Sequence, residues 1–364
     1  MTEEEGHMMH ALELAQRGSY LASPNPLVGC VIVKNAKVIG RGWHKKPGTE
    51  HAEINALSDV RRKFGTNASE ILKGSELYVN LEPCSQKGRT PPCCKSIIKS
   101  GIKKIFIASK DPMQKGLEEL ATNNIEVNLG LLQDKAEELN KGFFSRLNKG
   151  RPMITCKLAI SMDGGIGLKN GESKWISSLE SRSDVHDMRA RSDAILTGSG
   201  TILKDNPRLT VRLLDKNVSS YSQPLRCVVD SGLKITGNEN IFSDNLKTII
   251  FCNSAKKEIN TPSNIEIIEK PDKDGLVSLV EVCKYLGKTE INYLLVESGP
   301  RLVGALLKEK LIDEFILFIA PKLMGKEKLN FARIERSMNN INLKIQSIDE
   351  IGGDIKLLAR PQYN

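Results

Sequence analysis

Short β-branched runs alternate with helix-length segments through both halves of the chain, on either side of a polar, glycine-containing stretch at 140–152 (NKGFFSRLNKGRP). This alternation constrains the fold more than any other feature, because strands interleaved with helices close into layered α/β sheets. A length of 364 residues accommodates two domains that each bury a core. The expected division is 1–147 and 148–364. In the first part, 6–17 reads as a helix closed by Gly18, CVIV and KVIG as a hairpin, and 53–60 as a helix. ELYVNLEPC reads as a strand halted by Pro83, 93–99 as a helix, and KKIFIAS and EVNLG as strands. In the second part, MITCKLAIS, DAILTG, LRCVVDS, KTIIFC, NIEIIEK, NYLLVES and EFILFIAP read as strands, with helices over 181–192 and 301–310. No fixed-period repeat and no low-complexity segment interrupts the pattern.

Fifty-three Lys and Arg against 44 Asp and Glu leave +9, spread over both halves without a basic tail. That balance suits phosphorylated small molecules and nucleic acid alike, so charge alone does not separate them. No stretch approaches the ~18 consecutive apolar residues of a membrane span, and the N-terminus carries three glutamates where a secretion leader is basic and then apolar. A cytoplasmic protein with no membrane partner is expected. The eight cysteines then read as reduced or metal-bound thiols rather than disulfides. Cys30, Cys156, Cys227, Cys252 and Cys283 sit in apolar runs and read as inert core residues.

The other three, Cys84, Cys93 and Cys94, crowd together downstream of His51-Ala52-Glu53. One His and two Cys leave an open fourth position on a tetrahedral zinc, the mark of a catalytic rather than a structural site. Zinc deaminases use this donor set, with a Glu two residues after the His that does not bind metal. At a helix start, His51 and Glu53 point in different directions, so one can bind metal while the other faces the water. Zinc brings that water's pKa to roughly 7, and Glu53 would take its proton and return it toward departing ammonia. Cys93 and Cys94 lie about 100° apart on a helix, so only one of them reaches the metal.

HAE, LEPCS with the following GRTPPCC, and the upstream SPNPLVGCVIV resemble the bifunctional riboflavin-biosynthesis deaminase–reductase family, and the similarity runs almost to the end of the chain. The nine-residue step from Cys84 to Cys93, in place of the three-residue step of nucleoside and tRNA deaminases, makes the match specific. The resemblance implies a cytidine-deaminase-like three-layer domain followed by a dihydrofolate-reductase-like α/β domain. It implies one zinc held by His51, Cys84 and Cys93, Glu53 as proton shuttle, and Asn25, His44 and Arg89 lining the pyrimidine and phosphate pocket. This chain departs from the family at Gln86, where His is usual, and in DPMQKG, where Met113 replaces Asn and the segment is shortened.

For the second half the resemblance implies NADPH, contacted by Ala159, Trp175, Thr201, Asp205, Ser231 and the turn Gly299, Pro300, Arg301, Leu302, Val303, Gly304 and Ala305. Ser173, Arg189, Leu209 and Arg212 would hold the ribose phosphate, and Lys157, Asp205 and Glu297 would surround the reacting sugar carbon. Lys234 stands where the family usually has Arg, near the expected cofactor phosphate. From the residues alone, VESGPRLVGALL reads as strand, turn and helix, with free N–H groups for a diphosphate, and no GxGxxG is present. The family commonly assembles as homo-oligomers. The leading expectation is zinc-dependent deamination of a phosphoribosyl-pyrimidine followed by NADPH reduction of its ribose, with no nucleic-acid partner. The alternatives are a reductase with an impaired deaminase half, a tRNA deaminase, and a non-catalytic zinc module that takes Cys94 as fourth ligand.

Overall fold

Thr2 and Glu5 start the first helix: the Thr2 hydroxyl accepts the Glu5 N–H and the Glu5 carboxylate accepts the Thr2 N–H. This capping box sets α1 at Glu3–Gln16, three residues earlier than its apolar spacing suggests. The computed structural model describes residues 1–86, 91–168, 176–213, 220–255, 262–334 and 340–363, and its contacts divide the chain into Met1–Leu147 and Asn148–Asn364. After α1 the first unit continues with β1 (Gly29–Lys34), β2 (Lys37–Trp43), α2 (Ala52–Phe64), α3 (Ala68–Leu72) and β3 (Glu76–Leu81). Next come α4 (Cys93–Ser100), β4 (Lys104–Ser109), α5 (Gly116–Thr122), β5 (Glu126–Leu129), α6 (Gln133–Leu139) and α7 (Lys141–Lys149). The polar, glycine-containing stretch at 140–152 is therefore largely helical.

The strand order is β2-β1-β3-β4-β5, with β1 antiparallel to both neighbours and β3, β4 and β5 parallel. Alternating side chains go to opposite faces. Cys30, Ile32, Leu77, Val79, Ile105 and Ile107 enter one core with α2 and α4, while Val31, Val33, Tyr78, Phe106 and Ala108 enter a second core with α1. Helices on both faces explain why these strands read as unbroken apolar runs. Gly42 lets α2 approach: a Cβ there would stand 2.2 Å from the Ala52 carbonyl oxygen. Any side chain would push the start of α2, and with it His51 and Glu53, off the sheet.

The second unit comprises β6 (Met153–Ser161), β7 (Gly165–Leu168), α8 (Leu179–Ala190), β8 (Ala194–Gly198), α9 (Ser199–Asp205), β9 (Leu225–Val229), β10 (Thr248–Cys252) and β11 (Ile265–Glu269). It continues with α10 (Leu279–Lys288), β12 (Tyr293–Val296), α11 (Pro300–Lys308), β13 (Glu314–Ala320), β14 (Lys328–Asn330), β15 (Asn342–Ile351) and β16 (Asp354–Gln362). Nine strands form one sheet in the order β11-β10-β9-β8-β12-β6-β13-β16-β15, and β7 pairs with β14 separately. All pairs from β11 to β13 are parallel, and the β15–β16 hairpin adds antiparallel strands at the end. Ile154, Cys156, Leu158 and Ile160 of β6 face a core shared with α10 and α11. The pleat then turns Lys157 and Ala159 to the opposite face, where they line a cavity. The helix α10 and the terminal hairpin were absent from the expected elements.

Candidate functional site

His51 is the N-cap of α2, Cys84 follows the end of β3 at Pro83, and Cys93 opens α4 after Pro92. Their donor atoms all lie within 4.8 Å of one another, with His51 Nδ1 3.6 Å from Cys84 Sγ and 3.2 Å from Cys93 Sγ. The Cys93 N–H also donates to Cys84 Sγ at 3.3 Å. The Cys93 side chain and His51 hold the Cys84 thiol well below its ordinary pKa, toward the thiolate a metal requires. This soft and borderline donor set fits zinc. Cys94 is turned away and donates to the Pro83 carbonyl at 3.5 Å, which identifies Cys93 as the member of the pair that converges with His51 and Cys84. Among the described residues no fourth protein donor joins the cluster, and a tetrahedral zinc held by these three would keep its fourth position for water or substrate.

Glu53, in the first turn of α2, is 3% exposed, and burial pushes its carboxyl pKa up from the ordinary value. A carboxyl raised toward neutrality is suited to taking and returning a proton. His44 is buried beside it: its ring meets the His51 ring edge-on at 5.4 Å, one nitrogen contacts the Glu50 carbonyl and the other lies 3.0 Å from Asn25 Nδ2. Asn25 and His44 thus meet at this centre. Arg89 lies outside the described residues. Three positioning residues escaped the sequence reading. Asn80 accepts the Gly29 N–H and donates to the Leu27 carbonyl, and Asn140 accepts the Leu27 N–H, which together pin the loop carrying Asn25. Buried Glu82 accepts the N–H groups of Asp111 and Leu117, and so fastens the shortened 111–117 segment next to Cys84. The only local signal for these residues is a polar side chain inside an apolar strand, as at Asn80 in LYVNL.

In the second unit a cavity of about 620 Å³ opens at the N-termini of α9 and α11. Thr201, Asp205, Ser231, Gly299, Pro300, Arg301, Leu302 and Ala305 line it, as does Lys234. Gly299 caps α11 without a side-chain hydrogen bond and Pro300 is its first residue, so free backbone N–H groups face the cavity. Asp230, 1% exposed, lines the same wall, and its Oδ1 is a buried atom without a hydrogen-bond partner among the described residues. The size, the helix ends and the orphaned oxygen fit a bound dinucleotide. Of the remaining turn residues, Val303 is fully buried in the core and Gly304 lines a neighbouring cavity of about 550 Å³.

A smaller cavity of about 370 Å³ adjoins the first at Ile166, Thr201, Asp205, Ser298 and Gly299. Lys157, Ala159, Arg189, Leu209, Arg212 and Glu297 line it, together with His186 and Arg182. Ala159 therefore borders this cavity and not the larger one. Ser173 and Trp175 lie outside the described residues. Arg189 presents its fork to Glu297, Nε to Oε1 at 2.5 Å and Nη2 to Oε2 at 2.9 Å, so its guanidinium is already paired with a carboxylate. Burial would raise the Glu297 pKa, but the charge and hydrogen bonds of Arg189, with Lys157 beyond, overcome it and hold the carboxyl at about 2. Burial lowers the Lys157 ammonium pKa, and Glu297 pulls it back. Burial, then Arg189 and Arg212, push His186 down to about 4, so that ring is neutral at pH 7. A lysine and a fixed carboxylate in a cavity that adjoins a dinucleotide-sized one have the composition of a hydride-transfer site that also moves a proton.

By class, then, this is a zinc-type deaminase and a nicotinamide-dependent reductase in a single chain, and comparison with known proteins agrees. Residues 1–109 match the cytidine and deoxycytidylate deaminase zinc-binding region and residues 152–357 the RibD C-terminal domain. The riboflavin biosynthesis protein RibD of Escherichia coli is 39% identical over 370 aligned residues, covering 98% of both chains. The solved structure of Acinetobacter baumannii RibD, form 1, superposes with a TM-score of 0.87 at 32% identity, covering 99% of both chains. A Thermotoga maritima structure described as a diaminohydroxyphosphoribosylaminopyrimidine deaminase and 5-amino-6-(5-phosphoribosylamino)uracil reductase gives the same TM-score, identity and coverage. The chain belongs to the RibD family of bifunctional deaminase–reductases of riboflavin biosynthesis. Its cofactors are zinc and NADPH. Among the described residues no helix is long and apolar enough to cross a membrane.

Proposed function

We propose that the first unit hydrolytically deaminates a diamino(phosphoribosylamino)pyrimidinone and that the second reduces the ribosyl group of the resulting uracil to a ribityl chain. The observation that carries this reading is the pairing, in one chain, of the His51, Cys84 and Cys93 cluster beside Glu53 with a dinucleotide-sized cavity that adjoins a Lys157- and Glu297-lined one. His51, Cys84 and Cys93 would hold zinc, which supplies an activated water at neutral pH. Glu53 would carry a proton from the attacking water to the departing amine, while Asn25 and His44 would orient the pyrimidine ring.

In the second unit, Thr201, Ser231, the N-terminus of α11 and Lys234 would hold NADPH, which supplies the hydride. Lys157 donates a proton to the sugar oxygen or nitrogen as charge develops there. Glu297 keeps Lys157 charged and Arg189 in place, and Arg212, in the wall of the same cavity, would meet the substrate phosphate. We read the protein as a cytoplasmic enzyme of small molecules that assembles as a homo-oligomer.

The test is sequential on one zinc-loaded sample. Ammonia release from the diaminopyrimidinone ribotide is measured without NADPH, and NADPH is then added and its absorbance followed. Ammonia first and NADPH consumption second is the expected result. NADPH consumption with separately supplied deaminated substrate but no ammonia from the diamino compound would assign this chain the reductase step alone. Neither activity would refute the reading, and a size-exclusion mass at one chain would refute the oligomer.

A further inference from the structure

The segment 206–212 carries Leu209 and Arg212 into the smaller cavity, yet it belongs to no strand or helix beyond α9. Its backbone groups are met by side chains instead. Asn240 Nδ2 donates to the Asn206 carbonyl at 3.0 Å, Arg226 Nη1 to the Arg208 carbonyl at 3.2 Å, and Arg189 Nη1 to the Thr210 carbonyl at 3.0 Å. Gln223 accepts the Val211 N–H at 2.8 Å and donates to the Val211 carbonyl at 3.1 Å, and His186 Nδ1 accepts the Arg212 N–H at 3.3 Å. Leu209, at the centre, has φ 53 and is 3% exposed. A leucine holds that left-handed backbone only when its surroundings over-determine it.

Arg226 stands out in this scaffold. It lines neither cavity, is 0% exposed, and spends all its donors internally: on Thr248 Oγ1, Asp244, the Leu246 carbonyl and the Arg208 carbonyl. A buried charge is expensive, and a packed apolar side chain in its place is often neutral or stabilising. Stability alone therefore does not account for it. Its one link toward a functional surface is the Arg208 carbonyl, a residue away from Leu209.

We infer that Arg226, supported by Gln223, is a positioning residue for the reductase step: it fixes the 207–212 backbone so that Leu209 and Arg212 meet the phosphoribosyl end of the substrate. The inference rests on the proposed ribosyl reduction for its kinetic part only. Losing contacts remote from the reacting carbon removes binding common to ground and transition states, which raises KM and leaves kcat little changed.

The test uses the full-length, zinc-loaded enzyme with Arg226→Met and, separately, Gln223→Leu. Both are expected to raise KM for the deaminated ribotide about tenfold or more, with kcat within about a factor of two, and to leave NADPH affinity and ammonia release unchanged. Hydrogen exchange at 208–212 should quicken in both, with the strands of the sheet still protected. Unchanged KM and unchanged exchange in a folded variant would overturn the inference. So would a parallel loss of kcat, NADPH affinity and sheet protection, which marks a general structural role. If Arg226→Met does not fold, Gln223→Leu decides by the same readings. If the wild-type enzyme ignores the ribotide, the reading of the reaction fails while the exchange data still decide whether Arg226 sets the segment.

Discussion

In the first unit three donors from a helix start, a strand end and a second helix start meet within 4.8 Å, with a buried carboxyl beside them. In the second, the residues proposed for the reductase line two adjoining cavities, and a two-pronged ion pair, Arg189 with Glu297, sits in the smaller one. A metal centre needs few residues placed closely, because the ion itself completes the geometry. A hydride-transfer site must hold two large molecules side by side, so its precision comes from charge pairs and from backbone fixed at a distance. The same fold class thus serves two chemistries by different means of preorganisation.

The sharpest way to break that contrast is a reciprocal pair of substitutions. Glu53→Gln should cut ammonia release by about 100- to 10,000-fold while zinc stays at one per chain, and Lys157→Ala should cut NADPH consumption comparably. Metal analysis and the two assays check both. A parallel loss of both activities in either variant would show that the sites are not separable. Next, Arg189→Met takes from the buried Glu297 carboxylate its hydrogen-bonded partner, with Lys157 the remaining nearby cation, and should destabilise the second unit by about 3 kcal/mol, read from its urea midpoint.

Acid should reach the second unit through the same pair. Glu297 is held at about 2 against an ordinary 4.5, so its contribution is complete above about pH 5 and is lost as pH falls toward 2. About 3 kcal/mol should disappear over that range, and Glu297→Gln should remove that part of the pH slope, as urea midpoints at stepped pH will show. The smallest effect is expected at Lys234, in the wall of the larger cavity. Lys234→Ala should lower the preference for NADPH over NADH by about 1 kcal/mol, measured as the ratio of kcat/KM values, because a lysine neutralises a phosphate without a fork.

The two regions also differ in how far they could be read from the chain. HAE and the two cysteines place the metal centre almost completely, because ligand identity and spacing are local properties. The structure adds that Cys94 is bound to the Pro83 carbonyl. Asn80, Asn140 and Arg226 were invisible for the opposite reason: Asn80 and Leu27 lie 53 residues apart, and Asn140 and Leu27 113 apart. Arg189 reads as a phosphate ligand in its local frame, whereas its partner Glu297 comes 108 residues later. Among the elements, α10 carries a clear apolar face, Leu279, Val282, Cys283 and Leu286, that the reading passed over. The terminal hairpin is harder. Its β15 is exposed almost throughout, and a bulge between Ile345 and Ser347 breaks the two-residue period.

The strand order of the second unit also bears on the chain's synthesis. β6 (Met153–Ser161) sits between β12 and β13, so its first partner strand arrives only with Val296 and its second only with Ala320. In the first unit β1 meets β2 across two residues and β3 within about fifty. Emerging chains therefore have a long interval in which the metal-binding half can be complete while the nucleotide-binding half still waits for its partner strands, with apolar β6 exposed to chaperones or to aggregation. A stop late in the message would remove β13 and the terminal hairpin while every strand of the first unit's sheet has already been made.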